Sequence, residues 1–175
     1  MKQLLLILLL CSGTHLLQAQ QQVKMDDRVS ITFPGTAQEQ KSEQGSMWYG
    51  AVGGSDLSRA MGMSMLIPLS SIQQDSAGIA AHYNDPAFTQ GLIQGMLGKL
   101  PGVELVSQKK ITKQSRKGYI MELKKDVPDA QFPYKKLYTL ILFAGENIYL
   151  QVVYAAEGVD ITAARDAFFD SFRIK

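Results

Sequence analysis

The sequence predicts an α+β fold, an antiparallel sheet of about six or seven strands with two main helices packed on it, in the order βββαββββα. Three observations carry this. Several short segments alternate apolar and polar residues at the period of a strand. One segment repeats its apolar residues at helical spacing instead, Phe88, Leu92, Met96 and Leu100, with Ile93 and Leu97 beside them. The strand segments are also joined by turns too short for parallel crossovers, so neighbouring strands run antiparallel.

Each element has its own signal. Gln20 to Asp27 is polar and reads as a loose leader to the fold. Val29-Ser30-Ile31-Thr32-Phe33 alternates as a half-buried strand and is stopped by Pro34-Gly35. Thr36 to Gly45 is polar, an edge strand or a loop. Met47 to Val52, bounded by glycines, is a second strand. Ala60 to Leu69 is a third, with Met61, Met63, Met65 and Ile67 on one face. Ser70 to Tyr83 has no clean period. Asp85 then caps a helix with Pro86 in its first turn. Gly91, Gly95 and Gly98 each lower helix propensity by roughly 1 kcal/mol relative to alanine, which suggests close approach of this helix to a neighbouring surface. Pro101-Gly102 ends it.

Val103 to Thr112, Gly118 to Lys124, Tyr134 to Phe143 and Asn147 to Tyr154 continue as strands, the last two joined by Ala144-Gly145-Glu146. In the last strand Ile148, Leu150, Val152 and Tyr154 share one face while Tyr149, Gln151 and Val153 share the other. Both faces are partly apolar, which places this strand centrally with helices covering at least one side. Asp160 or Thr162 caps a closing helix in which Ala164, Phe168 and Phe172 recur at spacing four.

The first nineteen residues stand apart. Lys2, the apolar run Leu4 to Leu10 and the box Leu17-Gln18-Ala19 read as a secretory signal peptide, leaving residues 20–175 as one domain in the periplasm or outside the cell. Lipidation of Cys11 is the rival reading, and Leu10 stands where a lipoprotein box needs a small residue. The apolar stretch falls short of the ~20 residues of a membrane span, and no transmembrane helix is expected in the mature chain. Cys11, the only cysteine, and His15 leave with the leader, so His82 is the one remaining imidazole. This excludes thiol catalysis, disulfides, thiolate metal sites and multi-histidine cages.

The chemistry that remains is sparse. There is no GxSxG, since Leu66 stands where Gly62-Met63-Ser64-Met65 would need its second glycine, and no phosphate loop, since no helix follows Gly50 to Gly54 in register. No cofactor or metal set is implied. Glu104 and Glu122 lie on strands expected to be neighbours, the pairing a carboxylate-dependent hydrolase would need. Met61, Met63 and Met65 would project from one strand face about 7 Å apart, and soft thioethers suit copper(I). Ile67 continues their alternation, which favours core packing. His82, in a polar stretch, reads as a surface or capping residue.

Charge is nearly balanced overall, 18 Lys and Arg against 16 Asp and Glu, but it is unevenly placed. Lys109, Lys110, Lys113, Arg116 and Lys117 bracket an expected hairpin turn, and Lys135 and Lys136 open the next strand. Together they are the candidate patch for an anionic partner at one end of the sheet. Lysines on an exposed strand also discourage strand-to-strand aggregation. Export and neutral net charge argue against nucleic acid.

The element order and four local signatures resemble the superfamily of the photosystem II extrinsic P-subunit and the Ran-binding Mog-type import factor, in its small secreted bacterial branch. The signatures are Val29-Ser30-Ile31-Thr32-Phe33-Pro34, the Asp85-Pro86 helix start, Gly118-Tyr119-Ile120-Met121-Glu122, and Phe168-Phe169-Asp170-Ser171-Phe172-Arg173. The paired strands around Leu137-Tyr138-Thr139-Leu140 and Ile148-Tyr149-Leu150 match as well. The resemblance spans most of residues 29–174 and rests on core, turn and packing residues, so it speaks to fold more than to function. It implies a PsbP-like domain acting as a non-enzymatic binding or assembly module, here with an envelope protein or an anionic envelope component as partner. The bacterial-type leader departs from the photosynthetic branch, and a photosystem role does not carry over.

Overall fold

Asn147–Ala155 and Lys136–Ala144 carry apolar side chains on both faces, so a sheet built around them must be covered twice. The computed structural model describes residues 20–42, 45–54, 56–130 and 132–175; the segment read as a signal peptide, with Cys11 and His15, lies outside these. The chain forms β1 (Gln21–Lys24), β2 (Val29–Phe33), β3 (Gln38–Ser42), β4 (Gly45–Ala51) and β5 (Ala60–Pro68). A short 3-10 turn (Leu69–Ile72), α1 (Ser76–His82) and α2 (Pro86–Leu97) follow. Then come β6 (Val103–Lys113), β7 (Arg116–Lys125), β8 (Lys136–Ala144), β9 (Asn147–Ala155), α3 (Thr162–Asp170) and β10 (Arg173–Ile174). A seven-stranded antiparallel sheet runs β3-β4-β5-β9-β8-β7-β6, and β1-β2-β10 form a second, three-stranded sheet.

The register sets the two faces. Met63 pairs with Val152, Val152 with Thr139, and Thr139 with Met121, so these four share the face toward α2. Tyr149, Gln151, Val153, Leu140 and Ser64 face the other way. There β2 and α3 cover the sheet: Val29, Ile31 and Phe33 are buried, and the Phe33 and Phe168 rings lie 5.0 Å apart. Trp48, Phe169 and Phe172 complete that core.

The α+β class and the antiparallel sheet agree with the sequence, and β9 is the central strand of the seven. Two features differ. Gln20 to Asp27 is not a loose leader, because Val23 and Met25 are buried under the hairpin that β1 makes with β2. The unassigned stretch before Asp85 holds the 3-10 turn and α1, whose cap Asp75 accepts the Gly78 amide at 2.7 Å. Of the two readings of Thr36 to Gly45, the edge strand holds, with Gln38–Ser42 forming β3. Asp85 caps α2 by accepting the Ala87 amide at 2.8 Å, and Asp160 accepts the Thr162 amide at 2.9 Å at the start of α3. Among the described residues no helix is long and apolar enough to cross a membrane.

A polar link at Asp26 helps join the two sheets. Asp26 closes the β1–β2 turn, its Oδ1 accepting the Arg28 and Val29 amides at 2.8 Å each, while Oδ2 accepts the Tyr149 hydroxyl from β9. Burial works to raise the Asp26 pKa, but the hydrogen bonds from Tyr149 and the two amides outweigh it and hold the carboxyl below its usual range. Tyr149 is pushed up to about 12, first by burial and then by the Asp26 hydrogen bond. A carboxyl with a lowered folded pKa stabilises the fold above its ordinary pKa, and that contribution is lost as pH falls through the folded value. Wild type is therefore expected to show a higher urea midpoint than Asp26→Asn at neutral pH. The two midpoints should converge as pH drops below the carboxylate range, and a pH-independent gap would contradict the linkage.

Gly118 on β7 has no room for a side chain: an added Cβ would lie 2.0 Å from the Ile141 carbonyl oxygen. Gly118→Ala is expected to destabilise by about 1–3 kcal/mol or more, as overpacking does. Gly91→Ala, where an added Cβ meets nothing within 4 Å, is expected to stabilise by up to about 1 kcal/mol through helix propensity. Urea unfolding of both variants tests the contrast.

Candidate functional site

The β6–β7 hairpin turns at Gln114 and Ser115, both at positive φ (49° and 62°), as a tight two-residue turn requires. Its tip is fastened to the C-terminal strand: Gln114 Nε2 donates to the Phe172 carbonyl at 2.6 Å, and its Oε1 accepts the Ile174 amide at 2.9 Å. Lys109, Lys110, Arg116 and Lys117 stand exposed around this end. Strand alternation puts Lys110 and Lys117 on the face toward α2, and Lys109, Lys113 and Arg116 on the opposite face. Lys113 is half-buried and paired with Asp170 at 2.6 Å. The Lys110 and Lys117 ammonium groups sit 5.3 and 5.1 Å from the centre of the Tyr83 ring. That ring is itself fixed, because the Tyr83 hydroxyl donates to the Gly118 carbonyl at 2.7 Å. Among the described residues no carboxylate lies within 4.0 Å of Lys109, Lys110, Arg116 or Lys117.

Lys135 and Lys136 are elsewhere. Lys136 pairs in register with Lys124, seven residues along β7 from Lys117, or about 23 Å at the rise of a strand. Lys135 is half-buried and paired with Glu157 at 2.5 Å. The expected single patch is therefore two: five residues at the hairpin and two at the far end of β8. Antiparallel pairing is the reason, since β8 begins where β7 ends.

The remaining sequence candidates fall apart as sites. Glu104 is exposed and meets Lys124 at 3.3 Å, so it faces a cation rather than Glu122. Met61, Met63 and Met65 do share a face and are half-buried. The hydroxyls of Tyr134 and Tyr154 approach the sulfurs of Met61 and Met63 at 3.9 Å each, and burial pushes both phenol pKa values up. His82 is exposed at the end of α1, where its carbonyl accepts the Asp85 amide at 2.8 Å. Among the described residues no three His, Cys, Asp or Glu side chains converge as a metal-ligand group.

A site that sequence reasoning missed lies under α2. The start of this helix is pinned to β7, where the Tyr119 hydroxyl donates to the Tyr83 carbonyl and lies 3.0 Å from Thr89 Oγ1. Beyond that point the helix stands off the sheet. The stripe Phe88, Leu92, Met96 and Leu97 is only half-buried, and a cavity of about 610 Å³ separates it from β5, β9 and β8. Met63, Met65, Ile141 and Leu150 line the floor, Gly91 and Gly95 the roof, and Gln74 and Lys99 the rim. The expected close approach at the helix glycines does not occur. A Cβ at Gly91 or Gly95 would meet nothing within 4 Å, and one at Gly98 only the Gln94 carbonyl oxygen of its own helix at 3.2 Å. In the floor, Thr139 is fully buried and its Oγ1 has no hydrogen-bond partner among the described residues.

A sheet clamped between a helical layer and a strand-plus-helix layer, with a cavity under α2, defines an α+β domain with the fold of the PsbP and Mog1 proteins. The cyanobacterial PsbP protein CyanoP from Synechocystis sp. PCC 6803 superposes with a TM-score of 0.63 at 11% identity, covering 93% of this chain and 96% of that one. The Ran-binding protein Mog1p of Saccharomyces cerevisiae superposes with a TM-score of 0.51 at 6% identity, covering 90% and 96% respectively. At these identities the likeness is one of fold. No protein-family model and no curated protein sequence matches the chain.

Thr139 provides a check on the cavity. A buried hydroxyl without a partner costs about 1–3 kcal/mol of desolvation. Thr139→Val, nearly equal in shape, is therefore expected to raise the urea midpoint, and a loss of stability would show that the hydroxyl is already hydrogen-bonded.

Proposed function

We propose that this protein is an exported, non-enzymatic binding or assembly module of the cell envelope, which docks an acidic envelope protein at the end of its β6–β7 hairpin. The observation that carries the reading is the set of four exposed cations, Lys109, Lys110, Arg116 and Lys117, without a carboxylate neighbour. They are held on a hairpin whose tip is hydrogen-bonded to the C-terminal strand and whose flank rests on Tyr83. Such a surface loses little freedom on binding, and its charge steers and orients an acidic partner.

β6 is the edge of the seven-stranded sheet, so its lysines also deter strand addition. The basic set continues onto β7, past the edge, where deterrence needs no charge. The fold supports a protein partner too, since Mog1p, of the same fold, is a Ran-binding protein. The carboxylate and copper readings gain nothing comparable: Glu104 faces Lys124, and the Met61 and Met63 sulfurs face tyrosine hydroxyls.

The test is capture of the tagged protein from a crosslinked envelope fraction, with partners identified by mass spectrometry. One stoichiometric partner is expected, lost when Lys109, Lys110, Arg116 and Lys117 are changed to glutamate and kept when Lys135 and Lys136 are changed instead. Recovery of the protein alone, or equal loss in both variants, would overturn the hairpin assignment. An anionic polymer in place of a protein would keep the surface and replace the partner.

A further inference from the structure

We propose that the cavity beneath α2 is a binding site for a single-chain lipid, a long-chain fatty acid carrying an oxygen substituent on its chain. Its carboxylate meets Lys99 at the rim and its chain lies between α2 and the sheet. The site is separate from the basic hairpin and stands whether or not that surface binds a partner.

Three observations describe the space. At about 610 Å³ the cavity falls within the roughly 300–1,000 Å³ typical of small-molecule sites. Its walls are apolar, and Met63, Met65 and Met96 among them are unbranched side chains that adapt to a flexible chain. Gly91 and Gly95 line the roof, and an added Cβ at either would meet nothing within 4 Å. Side chains at these lining positions would take up part of the cavity.

The two polar features then specify the occupant. Thr139 Oγ1, fully buried at the floor, has no partner among the described residues and would meet one neutral oxygen or hydroxyl of a ligand once the side chains over it move aside. A carboxylate would not be stable at that depth, because burying a charge without a counter-ion is strongly unfavourable. The charge belongs at the rim, where exposed Lys99 has no carboxylate within 4.0 Å among the described residues. The apolar wall between them fits an acyl chain. An apolar hydrocarbon would leave both Thr139 and Lys99 unused.

Calorimetric titration of the full-length mature protein tests this, using stearate, stearates hydroxylated at successive chain positions, and stearate methyl ester. Saturable binding of stearate is expected. A hydroxyl at one position should strengthen binding by roughly three- to tenfold, the worth of one neutral hydrogen bond, and Thr139→Val should remove that gain while leaving stearate itself unchanged. Lys99→Glu should weaken stearate more than its methyl ester. Gly91→Leu with Gly95→Leu should abolish binding of all of them, with the far-ultraviolet circular dichroism and unfolding midpoint kept as controls for folding. No saturable binding by wild type would overturn the proposal. So would binding that survives the double leucine variant, a hydroxyl gain that persists in Thr139→Val, or a concentration-dependent dimer that the leucines disrupt.

Discussion

Everything in this architecture follows from two adjacent strands that have no polar face. β8 and β9 are buried on both sides along most of their length, and bare apolar sheet in water is unfavourable by about 25 cal/mol for each Å² exposed. The chain meets this requirement twice, with unlike solutions. One side receives a small sheet made from both ends of the described chain, β1 and β2 with β10, together with α3. The other receives α1 and α2 from a single connection. The first cover is close: an added Cβ at Gly62 would lie 3.3 Å from the Phe168 ring, and Phe33, Phe168 and Phe172 are almost wholly buried. The second is anchored at one end and raised at the other.

That asymmetry has a local cause. The junction between α1 and α2 is held by a cluster of hydroxyls, Tyr83 to Gly118, Tyr119 to Tyr83, and Thr89 against Tyr119. Every member is buried and satisfied, the condition under which a polar cluster adds rigidity rather than cost. Past Thr89 the helix has no such tie, and two of its next residues on the cavity side are glycines. The same Tyr83 ring lies under Lys110 and Lys117. One tyrosine thus supports the basic hairpin on its outer side and fixes the start of the cavity roof on its inner side. The two candidate surfaces share a rigid foundation without overlapping.

The elements with strict period were legible in the sequence. Val29-Ser30-Ile31-Thr32-Phe33 reads as a strand because its buried residues alternate, and Asp85-Pro86 reads as a helix start because a carboxylate and a pre-set φ both fit there. Gln20 to Asp27 did not read as structure, because only Val23 and Met25 are apolar and their burial comes from β2 and the main sheet, which no local pattern records. The basic residues were legible as a cluster in sequence. Their division between the hairpin and the far end of β8 depends on strand direction, and it becomes readable once Tyr134 to Phe143 is taken to run antiparallel to Gly118 to Lys124. The cavity was hidden for a different reason. Phe88, Leu92 and Met96 form the same stripe whether a helix touches its sheet or stands off it. Only the glycines between them hinted at the difference, and their usual meaning of close contact pointed the wrong way.

Two local choices in the cavity work against stability. Gly91 and Gly95 weaken a helix with no steric need for glycine, and Thr139 places a hydroxyl among apolar side chains with nothing to bond. A chain built for stability alone would have alanine at the first two positions and valine at the third, each worth on the order of 1 kcal/mol. Isolated departures of this kind carry little information. These line the roof and floor of the same space, and together they widen it and give it one directed hydrogen-bonding group. Conflicts between local preference and global fold gather where a protein does something other than fold. The cover on the opposite face shows the contrast: there Gly50 and Gly62 are required by neighbours at 2.8 and 2.7 Å, and their local cost is recovered in packing. Under α2 nothing within the described residues recovers it, and the proposed ligand would supply the missing contacts.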